Sequence, residues 1–209
     1  LFQQYYRFFP LTPVLVELAK QTHSKGEPVA LSDFRDHVLR EVAPIRDAIV
    51  DWEETNDIKK KNRKSTGLPK LDVKNPEYSN KRYLDHFVGK VRKRDLAPQS
   101  FGNTLGFISY DPINEEKCLL QLTPAGKQFI EIPNPILEEG PEAPALSEEE
   151  QAFIVSHIQE TLPAEYALME FVYEVIADID NETYTSRMED FDDYLRECDD
   201  FDDDASQER

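Results

Sequence analysis

Val14, Leu15, Leu18 and Thr22 recur at helical spacing behind Thr12 and Pro13, which read as an N-cap and a first helical residue, and Gly26 marks the end. A short apolar run, PVAL at 28–31, reads as a strand. Ser32 then reads as the cap of a second helix with Phe34, Val38 and Val42 on one side and Pro44 just past it. Residues 45–78 break this regularity: IRDAIVDWEET can continue as helix, whereas KKKNRKSTGLPKLDVKNPEYS reads as an exposed, partly mobile loop. In SNKRYLDHFVGKVRKRD, residues 79–95, Leu84, Phe87, Val88 and Val91 fall at i, i+3, i+4 and i+7. That spacing predicts a third helix with one buried stripe. Two β-rich runs follow within LGFISYDPINEEKCLLQLT, joined at DPINEEK, and predict a hairpin; PAGKQFIEI then forms a short helix behind it.

The order helix, short strand, helix, helix, hairpin is that of a winged-helix domain, with the third helix at the recognition position. The sequence therefore predicts a mainly α chain with small β-hairpins, built from tandem winged-helix (helix-turn-helix) modules. The first spans residues 1–131, with 45–78 as an insertion. Residues 132–146 hold four prolines and read as a linker. A second helical, winged-helix-like module covers 147–198. In it Ser147 and Glu150 form a capping box ahead of Phe153, Ile154 and Ile158. Pro163 starts the next helix, and Ser186 with Glu189 caps a further one. Residues 199–209 form an acidic tail without core residues.

Charge changes this picture. The formal net charge is -18, but residues 1–130 carry 21 Lys and Arg against 17 Asp and Glu, and residues 131–209 carry 3 against 25. Within the first part, residues 58–94 hold 13 cationic and 3 anionic side chains. Such asymmetry points to nucleic-acid contact at one end and an acidic surface at the other.

On a helix over 79–95, the side opposite the apolar stripe carries Arg82, His86, Gly89 and Lys93, flanked by Lys90. In a major groove, Arg82 and Lys93 would reach guanine acceptors or phosphates, and His86 would donate to either. Asn80, Lys81, Lys90, Arg92 and Arg94 complete the expected DNA-facing set, the last three mainly at the backbone. Lys59, Lys60, Lys61, Arg63 and Lys64 form a second basic run, expected as an arm along the phosphates or in a minor groove. The hairpin tip holds Glu115 and Glu116, which argues against a phosphate contact there.

Catalysis finds little support. Asp57 with Asp72-Val73-Lys74, and Glu115-Glu116-Lys117, imitate fragments of a metal-dependent nuclease signature, but three-residue matches arise by chance in a chain with 32% charged residues. Cys118 and Cys198 are isolated thiols, and His23, His37, His86 and His157 have no metal-type spacing. No calcium-loop pattern accompanies Asp192, Asp193, Asp199, Asp200 and Asp202 to Asp204, which suit a solvating tail, a phosphate mimic or a dock for a cationic partner. No cofactor or metal is expected. No apolar run is long enough to span a membrane, and LFQQYYRFFPL lacks the order of a signal peptide, so a cytoplasmic protein is expected. The absence of an initiator Met suggests a segment of a longer protein, with a further domain out of view.

The run from Asn80 through LGFISYDPINEEKCLLQLTPAG resembles the third helix and wing of the winged-helix DNA-recognition region of type II restriction endonucleases of the Fok kind. Leu105, Gly106, Phe107, Ile108, Thr123 and Gly126 carry the likeness, and LSEEEQAFIVSHIQETLPAEYALMEFVYEV resembles the helices opening the next module. The resemblance implies a partner in double-stranded DNA and a nuclease domain or subunit outside this chain. Two other readings stay open. One is an assembly subunit whose winged helices bind protein, with the acidic half as docking surface; the other is a transcription regulator.

Overall fold

The computed structural model describes residues 8–113 and 117–178. These are mainly helical, with small antiparallel sheets. The predicted cap at 186, the helix after it and the acidic tail lie outside the described residues, as do Glu115, Glu116 and Cys198. The chain divides into two units, at Gln151 and Ala152.

In the first unit a single turn over Phe9–Leu11 leads into α1 (Thr12–Lys25), which stops where Gly26 takes a left-handed conformation at φ 69°. Thr12 is already helical rather than the cap, because the preceding turn supplies the start, and its buried hydroxyl has no partner. β1 (Val29–Ala30) gives way to α2 (Leu31–Thr55). Ala30 stands at the start of α2, so Ser32 caps nothing and its hydroxyl donates to Asp33 instead. Pro44 does not end α2. It sits inside, in a 25-residue helix whose buried side runs from Phe34, Val38 and Val42 on to Ile49 and Glu53. The tertiary burial of that continuous face outweighs the lost backbone bond.

The chain then passes α3 (Pro76–Ser79) and α4 (Lys81–Tyr83), which runs into one wide π turn over Leu84–Val88. A two-residue ribbon of β2 (Lys90–Val91) and β3 (Pro98–Gln99) comes next, followed by α5 (Phe101–Thr104). β4 (Ile108–Pro112) and β5 (Cys118–Leu122) form the expected hairpin, in register from Ile108 opposite Leu122 to Pro112 opposite Cys118. β1 adds on the far side of β5, with Val29 opposite Leu120, so the sheet order is β1-β5-β4.

α1 packs against β5 and α2, burying Val14, Leu15 and Leu18 completely. Phe101 is the hub of an aromatic row: Phe8 lies 5.1 Å away and Phe87 6.2 Å edge-on, with Tyr83 5.4 Å beyond Phe87. Burying a side chain such as Phe101 completely contributes about 1.5–3 kcal/mol, and the half-buried Phe8 less. α6 (Pro124–Ile130) follows the sheet and stacks Phe129 on Phe107 at 5.2 Å. Thr123 caps α6 by accepting from the Gly126 amide, while its hydroxyl donates to the Gly106 carbonyl at 2.6 Å. Gly126 is required here, since a Cβ at that position would stand 2.2 Å from the Phe107 carbonyl oxygen.

Residues 132–146 are not bare chain. α7 (Pro135–Glu139) is capped by Asn134, whose amide also donates to the fully buried Glu150. Ser147 and Glu150 exchange the two bonds of a capping box at the start of α8 (Glu148–Thr161). The second unit takes up α8 from Ala152 and adds α9 (Pro163–Asp178) after the break at Leu162. Phe153 and His157 stack at 5.9 Å along one face of α8.

Candidate nucleic-acid interface

The predicted helix over 79–95 ends at Val88. Gly89 adopts φ 104°, and its amide bonds back to the Leu84 carbonyl at 2.7 Å, five residues away, which makes the last turn wide. Tyr83, Leu84, Phe87 and Val88 are buried, so the apolar stripe holds over this stretch. Val91 does not belong to it; it pairs with Pro98 in the ribbon. The six cations of the segment are therefore divided. Lys81 and Arg82 are exposed on the first turn of α4, whereas Lys90, Arg92, Lys93 and Arg94 are exposed on the ribbon and its tip.

Three side chains that the sequence pattern does not mark fix this break. Arg35 of α2 donates to the Gly89 carbonyl at 2.6 Å and to Asp85 at 3.1 Å. Tyr110 of β4 donates to the Val88 carbonyl at 2.8 Å, and its oxygen lies 2.6 Å from the Ser100 hydroxyl. A Cβ on Gly89 would meet that Tyr110 oxygen at 2.7 Å and would have to adopt φ 104°, so any other residue is strained there. Arg35 directly follows Phe34 in SDFRDHV, off the apolar face of α2, and reads there as an ordinary surface cation. Gly89 in the middle of FVGKV was the available signal for a helix end.

Asp85 also takes Lys90 at 3.4 Å. At the tip, Arg92 grips both oxygens of Asp95, at 2.9 and 2.5 Å, and Arg94 approaches the same carboxylate at 3.8 Å. The Ala97 amide and then Arg92 hold Asp95 below the usual carboxylate range. The exposed cations still outnumber the two carboxylates, so the segment presents positive charge. Burial, and then the neighbouring Arg82, lower the His86 imidazole below its ordinary value; Lys90 acts the same way and Asp85 opposes them. His86 therefore stands neutral at neutral pH, as an acceptor and single donor.

Asn80 needs correcting. Its side chain is buried and fully used inside the fold: the carboxamide oxygen accepts from the Lys70 amide at 2.8 Å, and the nitrogen donates to the carbonyls of Lys70 at 2.6 Å and Pro76 at 2.7 Å. Both amide hydrogens are spent on backbone carbonyls and the buried oxygen faces the Lys70 amide, so the side chain is directed into the fold.

The expected arm is likewise anchored. Lys59 and Lys60 are exposed beside a turn over Lys60–Asn62 that includes Lys61, and Arg63 donates through Nε to the Ile58 carbonyl at 3.2 Å. Lys64 is turned inward. Its ammonium sits 4.6 Å over the Trp52 ring and donates to the carbonyls of Pro141, Glu142 and Ala143 at 2.6–3.1 Å. Desolvation lowers its pKa, against the pull of Glu53 and Glu142. Glu53, fully buried, accepts from the Ser65 amide and hydroxyl at 3.0 and 2.6 Å. A chain fixed at Ile58, Ser65, Lys64 and Lys70 is a shaped surface rather than a loose arm.

Asp57, Asp72 and Lys74 are exposed loop residues, and among the described residues no group of three or more His, Cys, Asp or Glu side chains is placed to hold a metal ion. Cys118, the first residue of β5, is buried, with its thiol pushed up by burial and by Asp111. No described helix is long and apolar enough to cross a membrane. Comparison with family models, with curated proteins and with solved structures gives no match.

Proposed function

We propose that the first unit is a winged-helix-like module that binds duplex DNA without cutting it, using α4 and the β2–β3 ribbon together. The observation that carries this reading is the exposure of Lys81, Arg82, Lys90, Arg92, Lys93 and Arg94 on a segment whose Tyr83, Leu84, Phe87 and Val88 are buried. The sheet order β1-β5-β4, with α1 before β1 and helices between β1 and β4, supports the winged-helix comparison. The module departs from a simple winged helix in one respect. The ribbon and α5 intervene between α4 and β4, so the cations are offered by a short helix and a narrow hairpin, with Lys93 at the ribbon tip. The resemblance to Fok-kind recognition regions gives the reading its biological setting, the targeting of a restriction or defence nuclease whose cleavage domain lies outside residues 1–209.

A second reading, an assembly subunit that docks a cationic protein, is favoured by the 25 acidic against 3 basic side chains of residues 131–209. Fluorescence anisotropy of a labelled duplex across a salt series separates the two. Four phosphate contacts give a slope of log K against log salt of roughly -3 to -4, and Arg82→Ala or Lys93→Ala each reduces it by about 0.9. Binding that is absent, or insensitive to salt, overturns the DNA reading.

A further inference from the structure

Away from α4, the loop between α2 and α3 encloses an open cleft of about 410 Å³ lined by Arg46, Lys60, Arg63 and Lys70 together with Ser65 and Thr66. Four cations converge on one concavity, and among the described residues no Asp or Glu lines it. Arg46 also bonds Asp47, an exposed neighbour outside the cleft, at 3.0 Å. Cations lining one concavity raise the local concentration of anions there and favour an anionic ligand.

The walls are held by bonds that owe nothing to a ligand. Glu53 of α2 fixes Ser65, the Ile58 carbonyl holds Arg63 through Nε, and Asn80 clamps both backbone groups of Lys70. Lys64, between Arg63 and Ser65, is tied to three carbonyls and does not line the cleft. The left-handed turn at Gly67, φ 96°, lets the chain double back so that Lys70 faces the same opening as Lys60. Binding therefore needs little ordering of the backbone. Guanidinium groups match phosphate oxygens in pairs, and lysines add compact charge at the rim.

We infer that this cleft is a phosphate-binding site. Resting on the DNA reading above, it takes a backbone phosphate of the same duplex that α4 and the ribbon face, because Asn80 joins the Lys70 wall directly to the first turn of α4, where Lys81 and Arg82 are exposed. The same chemistry also suits a free phosphate or diphosphate, so the test has two arms.

The full chain is compared with the double variant Lys60→Gln/Lys70→Gln and the charge-preserving Lys60→Arg/Lys70→Arg. Both positions are exposed, and thermal melting verifies the fold. In the duplex arm the Gln variant is expected to lose about 0.9 from the salt slope, the share of one phosphate, and on the order of tenfold in affinity at 0.1 M salt, with the Arg variant near wild type. In the second arm, calorimetric titration with inorganic pyrophosphate detects a free ligand. A loss confined to the duplex arm assigns the site to the DNA backbone, and a loss of pyrophosphate binding assigns it to a free phosphate. If the Gln variant matches wild type in both arms while Arg82→Ala weakens duplex binding, the cleft proposal is overturned and the DNA reading stands. If wild type binds no duplex, the DNA reading falls, and pyrophosphate binding that the Gln variant lacks keeps the cleft while its absence from wild type removes it.

Discussion

Asn80→Ala separates a base contact from a structural clamp. In the structure the side chain makes three hydrogen bonds, to the Lys70 amide, the Lys70 carbonyl and the Pro76 carbonyl, from a position only 6% exposed. Each is worth about 1 kcal/mol net, and truncation also strands partly buried backbone groups, so the loss is about 2–4 kcal/mol. For a chain of this size 1 kcal/mol moves the melting temperature by roughly 2–4 °C, giving an expected drop of roughly 5–15 °C by circular dichroism. Asn80→Asp keeps only the acceptor and turns a carboxylate toward two carbonyls, so it is at least as damaging. The ratio of affinities for two duplexes of different sequence stays unchanged in Asn80→Ala, because no base loses a partner. A variant that melts with wild type yet loses its sequence preference would refute the reasoning and return Asn80 to the groove.

Gly126→Ala drives a Cβ to within 2.2 Å of the Phe107 carbonyl oxygen, which already accepts from the Thr123 amide, and is expected to lose about 3 kcal/mol in urea unfolding. Lys64→Met keeps the stem over Trp52 but leaves the carbonyls of 141–143 without their donor; stability falls by about 1–3 kcal/mol while the DNA salt slope stays at the wild-type value. His86 binds its proton less readily in the folded protein than at the ordinary value of 6.5, so the unfolded chain gains protons first and stability falls as the pH drops through about 6.5. Denaturant titrations at pH 7.5 and 5.5 measure that fall, and His86→Gln is expected to reduce it.

Periodicity and turn chemistry were enough to find the helix ending at Gly26, the hairpin from Ile108 to Leu122 and the Ser147–Glu150 box. Each of these is decided within a few residues. Where long-range contacts decide, the pattern misleads. Pro44 reads as a stop, yet the buried face on either side of it carries α2 through. Val91 falls at helical spacing by coincidence; Gly89 was the one local sign of a break, and the contacts that hold it come from Arg35 and Tyr110, 54 and 22 residues from the groups they bind. The basic character of residues 58–94 was legible as composition. Which cations face outward was not, because the inward turn of Lys64 depends on carbonyls at 141–143 and the cleft depends on Arg46 from α2.

A chain of net charge -18 can still present a surface to DNA because potential in salt water is local. At physiological ionic strength the screening length is about 8 Å, so a phosphate at the ribbon tip feels the charges within one or two side-chain lengths and little of the remainder. Within that range the break at Gly89 matters more than the total. One straight helix would spread its cations around the axis, whereas a helix turn followed by a ribbon gathers Lys90, Arg92, Lys93 and Arg94 beside one another and leaves Asp85 and Asp95 as the nearby carboxylates of the segment. Those two carboxylates also orient the cations: Asp85 fixes the base of the ribbon through Arg35, and Asp95 holds Arg92 across the tip. The positive surface is thus made by where the backbone turns, and Arg35 and Tyr110, which make no DNA contact in this reading, determine its shape.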